Sequence, residues 1–456
     1  MAKLFGTSGI RGLYPSEVSP SLGFKLGCVL AEVFEGECVL GMDGRVTSHI
    51  LELAVACGLM SCGCKALRIG LTPLPTLAYA VKRSGAGFGV MVTASHNPPN
   101  YNGFKVYRSG GWELMPEDEE LIEEKLASES YELKSWSDVG FYEDYSRVLA
   151  EYIGEVVDYV AEGRPLKGEL KVVVDCANGP ASLVTPKVLS ALGVRVLAVN
   201  AQIDGFFPGR EPEPRPDVLR ELGLYVKGVG AALGLAHDGD ADRVAVLNSD
   251  GSFVFNDRII AYMAKRAIEE GLGKVVITTI DTSRCIDEVV ERLGGEVVRT
   301  KLGKTHVELV KRSSVALAAE PWKIIDPRWG PWADGIMSSA KLVYDLAERR
   351  CSLKELLKDI PEYPQVRENF PCPHELKREV MRVVEEELEG AIGDVSEVWT
   401  YDGVRVNRRS GGWILIRASG TEPKIRLYAE AKSTEELREI VERGRGLIAR
   451  ALKLKA

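Results

Sequence analysis

Apolar and polar positions along this chain repeat one arrangement three times. In GECVLGMDGR a continuous apolar run ends on an acidic residue, and a helical stretch from Ile50 to Met60 leads to a second run, CKALRIG. LKVVVDCANGPAS leads in the same way through a helical stretch over Leu183–Leu192 to Gly193 and VRVLAVN. GKVVITTIDTSRC leads through IDEVVERLGG to EVVRTKLG. Each reads as strand, acidic residue at the strand's end, helix, glycine stop and strand. The Val/Ile runs are continuous rather than alternating, the pattern of strands covered on both faces. Three α/β units of similar plan are predicted, with ligands at the C-terminal ends of their strands.

Polar segments separate these units. EDEELIEEK, residues 117–125, reads as a solvated acidic helical face, and residues 142–162 read as a helix entering the second unit. Residues 360–374, IPEYPQVRENFPCPH, hold four prolines and read as a linker to a last domain. That domain closes with a helix in which Ser433 and Glu436 form a capping box. Leu437, Ile440, Val441, Leu447 and Ile448 give the helix one apolar stripe.

Composition narrows the class. A chain of 456 residues exceeds what one core usually spans, so about three to four domains are expected. A hydrophobic share of 45% and a charged share of 27% are those of a globular protein. The formal net charge of −8 argues against broad nucleic-acid binding, but a local cluster of Arg, Lys and helix N-termini is enough for a phosphorylated small molecule. No basic-then-apolar start and no run of about 18 apolar residues is present, so neither a signal peptide nor a membrane span is expected, and the location expected is cytoplasmic. The nine cysteines are scattered, and Cys62-Gly-Cys64 has no second pair to complete a zinc site. Most are expected to be small buried hydrophobes.

Four segments carry candidate chemistry. In GVMVTASHNPPNYNGFKVY, Gly89–Tyr107, an apolar run delivers Ser95 and His96 into a turn broken by Pro98 and Pro99, with Lys105 in the next apolar stretch. A serine at the mouth of a buried strand, beside a histidine and ahead of a lysine, suits a phosphoryl acceptor; a capped polar surface loop is the plainer alternative. HDGDADR, His237–Arg243, lies between two apolar runs. Its Asp238, Asp240 and Asp242, spaced by Gly239 and Ala241, can converge on one hard cation such as Mg²⁺, with Arg243 adding charge. The charges repel, so a mere acidic turn there is costly. In WILIRASGTEPKIRLYAEA, residues 413–431, Arg417, Ser419, Gly420, Thr421 and Arg426 combine hydroxyls, backbone amides and two arginines in a loop that fits phosphate. The N-terminal KLFGTSGIRG sets Gly6, Gly9 and Gly12 around Thr7, Ser8 and Arg11, and Asp43 and Arg45 end the first strand.

TASHNPPNYNGFK, HDGDADR and RASGTEPKIR, in this order and spacing and with FGTSGIRG at the start, resemble the α-D-phosphohexomutase superfamily over essentially the whole chain. The resemblance implies three similar α/β domains with mixed sheets plus a smaller C-terminal α+β domain, around a central cleft. On this sequence they fall at 1–150, 151–252, 253–365 and 366–456. It implies that Ser95 is a phosphoserine that gives its phosphoryl group to one end of a hexose monophosphate. The bisphosphate then turns over in the cleft and returns its other phosphate to Ser95. Asp238, Asp240 and Asp242, with a phosphate oxygen on Ser95, are the implied Mg²⁺ ligands. Arg243, Arg11 and Lys105 are implied to stabilise the transferring group, with Lys105 also a candidate acid/base and His96 orienting the loop. Arg417, Ser419, Gly420, Thr421 and Arg426 are implied to grip the non-reacting phosphate.

The chain departs from the family at one wall. The family's sugar-binding loop usually reads Gly-Glu followed shortly by Ser-Gly-His or a glycine-rich variant; here it reads LAAEPWKIIDPRWGPWADG. Glu320 is kept, whereas Pro321-Trp322-Lys323 replaces the polar loop. Trp322 is a candidate to stack on a sugar face and Lys323 to take a charged role. Gly303, in TKLGK, is expected to keep a second loop near the cleft. The activity implied is interconversion of hexose 1- and 6-phosphates of glucose or mannose, by a monomer or homodimer. Phosphoglucosamine mutase, an aspartate-dependent phosphatase and a non-catalytic sugar-phosphate-binding paralogue stand as alternatives.

Overall fold

The computed structural model describes residues 4–6, 8–164, 166, 170–420 and 422–453. Thr7 and Thr421 lie outside the described residues. Four sheets follow one another along the chain, and we call the units built on them domains I to IV.

Domain I has a mixed sheet whose strands run in the order Ile10–Leu13, Tyr101–Arg108, Phe88–Val92, Cys38–Met42, Ala66–Leu71 and Tyr142–Asp144, with Trp112–Glu113 beside Tyr101–Arg108. The strands Cys38–Met42, Ala66–Leu71 and Phe88–Val92 are parallel, as their continuous apolar runs predict, whereas Tyr101–Arg108 returns antiparallel to Phe88–Val92. Domain II repeats this with Lys171–Asp175, Arg195–Val199 and Leu233–His237 parallel and Val244–Asn248 returning antiparallel. Domain III repeats it again with Val275–Thr279, Glu296–Thr300 and Val315–Glu320, and Lys323–Ile325 returning. Domain IV is fully antiparallel, in the order Gln365–Pro371, Lys424–Glu430, Trp413–Ala418, Val404–Arg408 and Val395–Trp399. The helices Lys377–Ile392 and Thr434–Lys453 complete its core. Three α/β domains with mixed sheets and a C-terminal α+β domain are therefore observed.

Packing follows from local chemistry. The helix Pro20–Val33 starts at Ser19, whose hydroxyl accepts the Leu22 amide, with Pro20 in the first turn. It crosses the helix Ser48–Ser61 at backbone contact: a Cβ on Gly58 would lie 2.1 Å from Phe24 O, and one on Gly27 would lie 2.3 Å from Val55 O. Domain IV seats on domain III through Ile280, Trp413, Leu415 and Tyr428, with Leu302 and Trp399 at the margin. Inside that seam the guanidinium of Arg405 is buried between the rings of Trp399 and Trp413, 4.9 and 3.9 Å from their centroids.

Several local expectations are corrected. The acidic segment 117–125 lies in the helix Pro116–Ser128 but is not simply solvated. Glu119 is buried and pairs with Lys304 Nζ, and Glu123 accepts the amides of Leu4 and Phe5. The stretch 142–162 opens with the strand Tyr142–Asp144, and its helix begins only at Val148. The proline-rich stretch 360–374 contains the strand Gln365–Pro371, which tolerates its proline because it is an edge strand. Ser433 caps the last helix through the Glu436 amide, but the Glu436 carboxylate reaches Arg408 and Ser410 rather than closing a capping box. Of the nine cysteines seven are buried, Cys57 is exposed and Cys351 is half-buried. No described helix is long and apolar enough to cross a membrane.

Candidate active site

The hairpin in which an antiparallel strand returns on a parallel one is the shared slot of domains I to III. It holds Ser95 in domain I, Asp238–Asp242 in domain II and Pro321-Trp322 in domain III. In each turn one non-glycine residue sits in the left-handed region: Ser95 at φ 52°, Ala241 at φ 64° and Trp322 at φ 66°. Such strain persists only where surrounding contacts over-determine the loop.

For Ser95 those contacts are visible. Its amide donates to Thr93 Oγ1 at 2.8 Å, and Arg45 donates to the carbonyls of Ser95, Asn97, Pro98 and Tyr101 at 2.8, 2.6, 2.6 and 3.0 Å. Asp43 in turn holds Arg45 Nε at 3.1 Å and accepts Thr93 Oγ1 at 2.7 Å. One buried arginine therefore staples the whole turn. Gly239 lies against it, and a Cβ there would stand 2.4 Å from Ser95 O, so the aspartate loop reaches the serine only because it has a glycine at this point.

The serine hydroxyl donates to Asp238 Oδ2 at 2.8 Å, with His96 Nδ1 3.3 Å away. Asp238, Asp240 and Asp242 are all buried, each with an oxygen within 4.8 Å of the others. Lys105 Nζ bridges Asp240 Oδ2 at 2.8 Å and Asp242 Oδ2 at 2.9 Å, and Lys323 Nζ lies 3.0 Å from Asp242 Oδ2. Among the described residues Asp240 Oδ1 and Asp242 Oδ1 are buried without a hydrogen-bond partner. Two such carboxylate oxygens beside Asp238 and a serine hydroxyl are a donor set that could hold a hard divalent cation.

Charge follows the same geometry. Burial pushes the Asp238 carboxyl well up, and the neighbouring Asp240 and Asp242 add like charge. Burial alone would raise Asp242 as well, but Lys105 and Lys323 reverse it and hold that carboxyl well below the ordinary range. Burial, followed by the nearby Arg243 and Arg11, holds the His96 imidazole well below its usual value, so the ring is neutral near pH 7. Burial works against the Lys323 charge, but Asp242 and Glu113 outweigh it and raise the ammonium above the ordinary lysine value. Arg11 Nη1 reaches Asn97 Oδ1 at 3.3 Å, and among the described residues its Nε is buried without a hydrogen-bond partner. Arg243 Nε makes no hydrogen bond there either, but lies in ion-pair range of Asp242 Oδ1 at 3.8 Å and Asp238 Oδ2 at 4.0 Å.

The structure thus brings Ser95, His96, Lys105, Arg11, Asp238, Asp240, Asp242, Arg243 and Lys323 into one cluster, with Glu320 at its edge. Glu320 accepts Thr305 Oγ1 at 3.1 Å and adds to the field on Lys323. Gly303, at φ 72°, turns a loop held by Lys304 to Glu119 of domain I and by the Leu302 amide to Asp402 of domain IV. Trp322 does not enter the cluster; it packs on the apolar patch of domain II around Leu219 and Ala245.

Arg417, Ser419, Gly420 and Arg426 form a second cluster, on domain IV. Arg417 and Arg426 face each other across the register of one hairpin, and the Nε group of each is buried without a hydrogen-bond partner among the described residues. Among the described residues no hydrogen bond or ion pair joins this cluster to Ser95. The Ser419 amide is committed to Lys424 O at 3.0 Å and its hydroxyl accepts the Glu422 amide at 3.2 Å, whereas the Nε groups of the two arginines make no hydrogen bond among the described residues.

Sequence reasoning named Asp43 and Arg45 as able to reach the cleft but not the staple that they form. It missed Thr93, which touches both Asp43 and Asp240 (3.1 Å), and Asp402. Position directly after the strand Phe88–Val92 and two residues before Ser95 was the available signal for Thr93; Asp402 had none.

Models of one family match the chain in order. "Phosphoglucomutase/phosphomannomutase, alpha/beta/alpha domain I" matches residues 2–132, domain II 150–251, domain III 256–363 and the C-terminal domain 369–446. A phosphopentomutase of Thermococcus kodakarensis is 42% identical over 452 residues, covering 99% of each chain. A probable phosphoglucosamine mutase of Methanopyrus kandleri is 44% identical over 447 residues, covering 96% of each. The crystal structure of a phosphoglucomutase/phosphomannomutase family protein from Burkholderia thailandensis superposes with a TM-score of 0.87 at 26% identity, covering 99% of this chain and 98% of that one.

Proposed function

The chain belongs to the phosphoglucomutase/phosphomannomutase family of intramolecular phosphotransferases, and from that premise we propose that it interconverts hexose 1-phosphates and hexose 6-phosphates, of glucose or mannose, through a phosphorylated Ser95. The observation that carries the reading is the Ser95 hydroxyl 2.8 Å from Asp238 Oδ2, in a strained and stapled turn beside two orphaned carboxylate oxygens.

Phosphoryl transfer needs positioning and charge neutralisation more than covalent chemistry from the protein. The phosphoryl group leaves Ser95 Oγ as the sugar hydroxyl oxygen bonds to phosphorus, the hydroxyl proton passes to the freed serine oxygen, and the return transfer reverses both from the other end of the bisphosphate. Arg11 offers a buried Nε without a hydrogen-bond partner among the described residues, and Arg243 adds positive charge beside Asp238 and Asp242. Lys105 and Lys323 hold the aspartate loop and contribute positive charge. Neutral His96 supports the Ser95 side chain. Asp238, Asp240 and Asp242 would hold Mg²⁺, which supplies charge neutralisation at the transferring group when bound. Arg417 and Arg426 would grip the phosphate that is not reacting. Work on phosphorylated sugars suits a cytoplasmic location.

Two relatives favour a second reading for the sugar: their names specify a pentose phosphate and a glucosamine phosphate. One preparation assayed against the 1-phosphates of glucose, mannose, glucosamine and ribose decides between them. Intact mass tests the mechanism, since a sugar bisphosphate should add one phosphate to wild type and none to Ser95→Ala. A phosphatase working through an aspartate would keep its activity in Ser95→Ala. A protein that binds sugar phosphates without turnover would take up no phosphate at all.

A further inference from the structure

Asp402 stands in the turn between the strands Val395–Trp399 and Val404–Arg408, outside both clusters described above. Its Oδ1 takes Arg417 Nη2 at 3.1 Å and its Oδ2 takes the Leu302 amide at 3.0 Å. The two oxygens of one carboxylate therefore hold the phosphate hairpin of domain IV and the turning loop of domain III. Gly403 makes the approach possible: it sits at φ 85°, and a Cβ there would come within 2.5 Å of Arg417 Cβ and of Ile416 O.

The arginine pair gives the contact a purpose. Arg417 and Arg426 are directly opposite across an antiparallel pair, where like charges repel. Each has one carboxylate to offset this, Asp402 for Arg417 and Glu422 for Arg426, the latter at 2.8 Å. Glu422 belongs to the phosphate loop itself and its side chain is 47% exposed, whereas Asp402 comes from another hairpin and is 17% exposed. Gripping one nitrogen of a planar guanidinium fixes the plane of the whole group. The Arg417 Nε, buried and unpaired, is left for a ligand. From Asp402 the chain of contacts continues along one short loop, through Leu302 to Lys304 and on to Glu119 of domain I at 3.1 Å.

We propose that Asp402 is a positioning residue: it aims Arg417 at the non-reacting phosphate of the substrate and ties that grip to the domain III loop at Leu302. This rests on the reading of the domain IV hairpin as the phosphate grip. Asp402 touches no reacting atom, so its effect falls on binding of the phosphate rather than on transfer at Ser95.

The test compares wild type, Asp402→Ala, Asp402→Asn, Arg417→Ala and the Asp402→Ala/Arg417→Ala double variant. Two readouts are used: steady-state kinetics with the best sugar phosphate, and the shift in melting temperature produced by inorganic phosphate. Loss of a charge-assisted contact predicts a KM raised about tenfold or more in Asp402→Ala with kcat within about threefold. The double variant is expected to be no weaker than Arg417→Ala alone, because the first residue acts through the second. The melting shift with phosphate should shrink in both single variants. An unchanged KM in Asp402→Ala, or losses that add in the double variant, overturns the proposal. If Asp402→Ala does not fold, Asp402→Asn carries the same test, since it keeps an acceptor for Leu302 and loses the charge that holds Arg417. Wild type without mutase turnover would sink the functional reading; the phosphate shift would still report on Asp402.

Discussion

Lys323 Nζ and Asp242 Oδ2 lie 3.0 Å apart, so the wall of domain III and the aspartate loop of domain II meet through an ion pair of two buried side chains. Lys105 reaches the same oxygen from domain I at 2.9 Å. Three domains thus converge on one carboxylate oxygen, while the other oxygen of Asp242 has no hydrogen-bond partner among the described residues and lies 3.8 Å from Arg243 Nε. Lys323 thereby places a positive charge at the edge of the cluster around Ser95.

That charge is expected to count in turnover. Lys323→Met keeps the length of the side chain and removes the ammonium. A charge-assisted contact to phosphate is worth about 1.5–3 kcal/mol, so kcat/KM should fall by about ten- to a hundredfold. Steady-state kinetics checks this, with circular dichroism to show that the fold is kept. Unchanged kcat/KM would mean that Lys323 serves only to neutralise Asp242.

Divalent metal should stabilise the protein through the orphaned oxygens of Asp240 and Asp242. At a Mg²⁺ concentration about a hundred times its dissociation constant the gain is about 2.7 kcal/mol. Thermal melts with Mg²⁺ after chelation should show the rise in wild type, and a much smaller one in Asp240→Asn. An equal rise in the two proteins would place the metal elsewhere.

The candidate site was legible in the sequence because each motif is local. Ser95, the three aspartates and the two arginines of the last hairpin lie within short segments whose strand–turn–strand setting shows in the apolar runs. What escaped is what depends on distant partners. Arg45 gathers carbonyls from residues 95 to 101, and nothing at position 45 announces them. Glu119 reads as one acid among many on a helix, yet Lys304 of domain III lies on it. Trp322 offered its ring to the sugar on pattern alone, whereas a left-handed turn directs it to the apolar patch of domain II.

The crossing of the first two helices should be intolerant of a single methyl group. Gly58→Ala places a Cβ 2.1 Å from Phe24 O, a backbone atom that cannot step aside. Overpacking of this kind costs about 1–3 kcal/mol, more than the roughly 1 kcal/mol that alanine gains over glycine within a helix. Gly154→Ala is the matched control, since a Cβ there meets nothing within 4 Å. Urea midpoints should fall for Gly58→Ala and hold or rise for Gly154→Ala. A fall of equal size in both would remove the steric explanation.

Stability toward acid should depend on Asp326, which closes the strand that carries Lys323. Its carboxylate takes Lys341 Nζ at 2.7 Å, the Tyr159 hydroxyl at 2.6 Å and the Arg328 amide at 3.1 Å. Burial alone would raise this carboxyl, but Lys341 and Tyr159 reverse it and hold it below 3.8. The unfolded chain therefore takes up the proton at a higher pH than the native one, so stability is present in full above about pH 4 and is lost as the pH falls through 3.8 toward the lower native value. Asp326→Asn leaves buried Lys341 without its carboxylate, which costs about 3–5 kcal/mol at pH 7. Below pH 4 the unfolded wild-type chain takes up the proton that the native carboxylate still refuses, so the advantage of wild type shrinks and the two proteins should approach each other. Urea midpoints at pH 7, 5, 4 and 3 measure the gap. A gap that stays constant down to pH 3 would assign the loss to altered packing rather than to the ion pair.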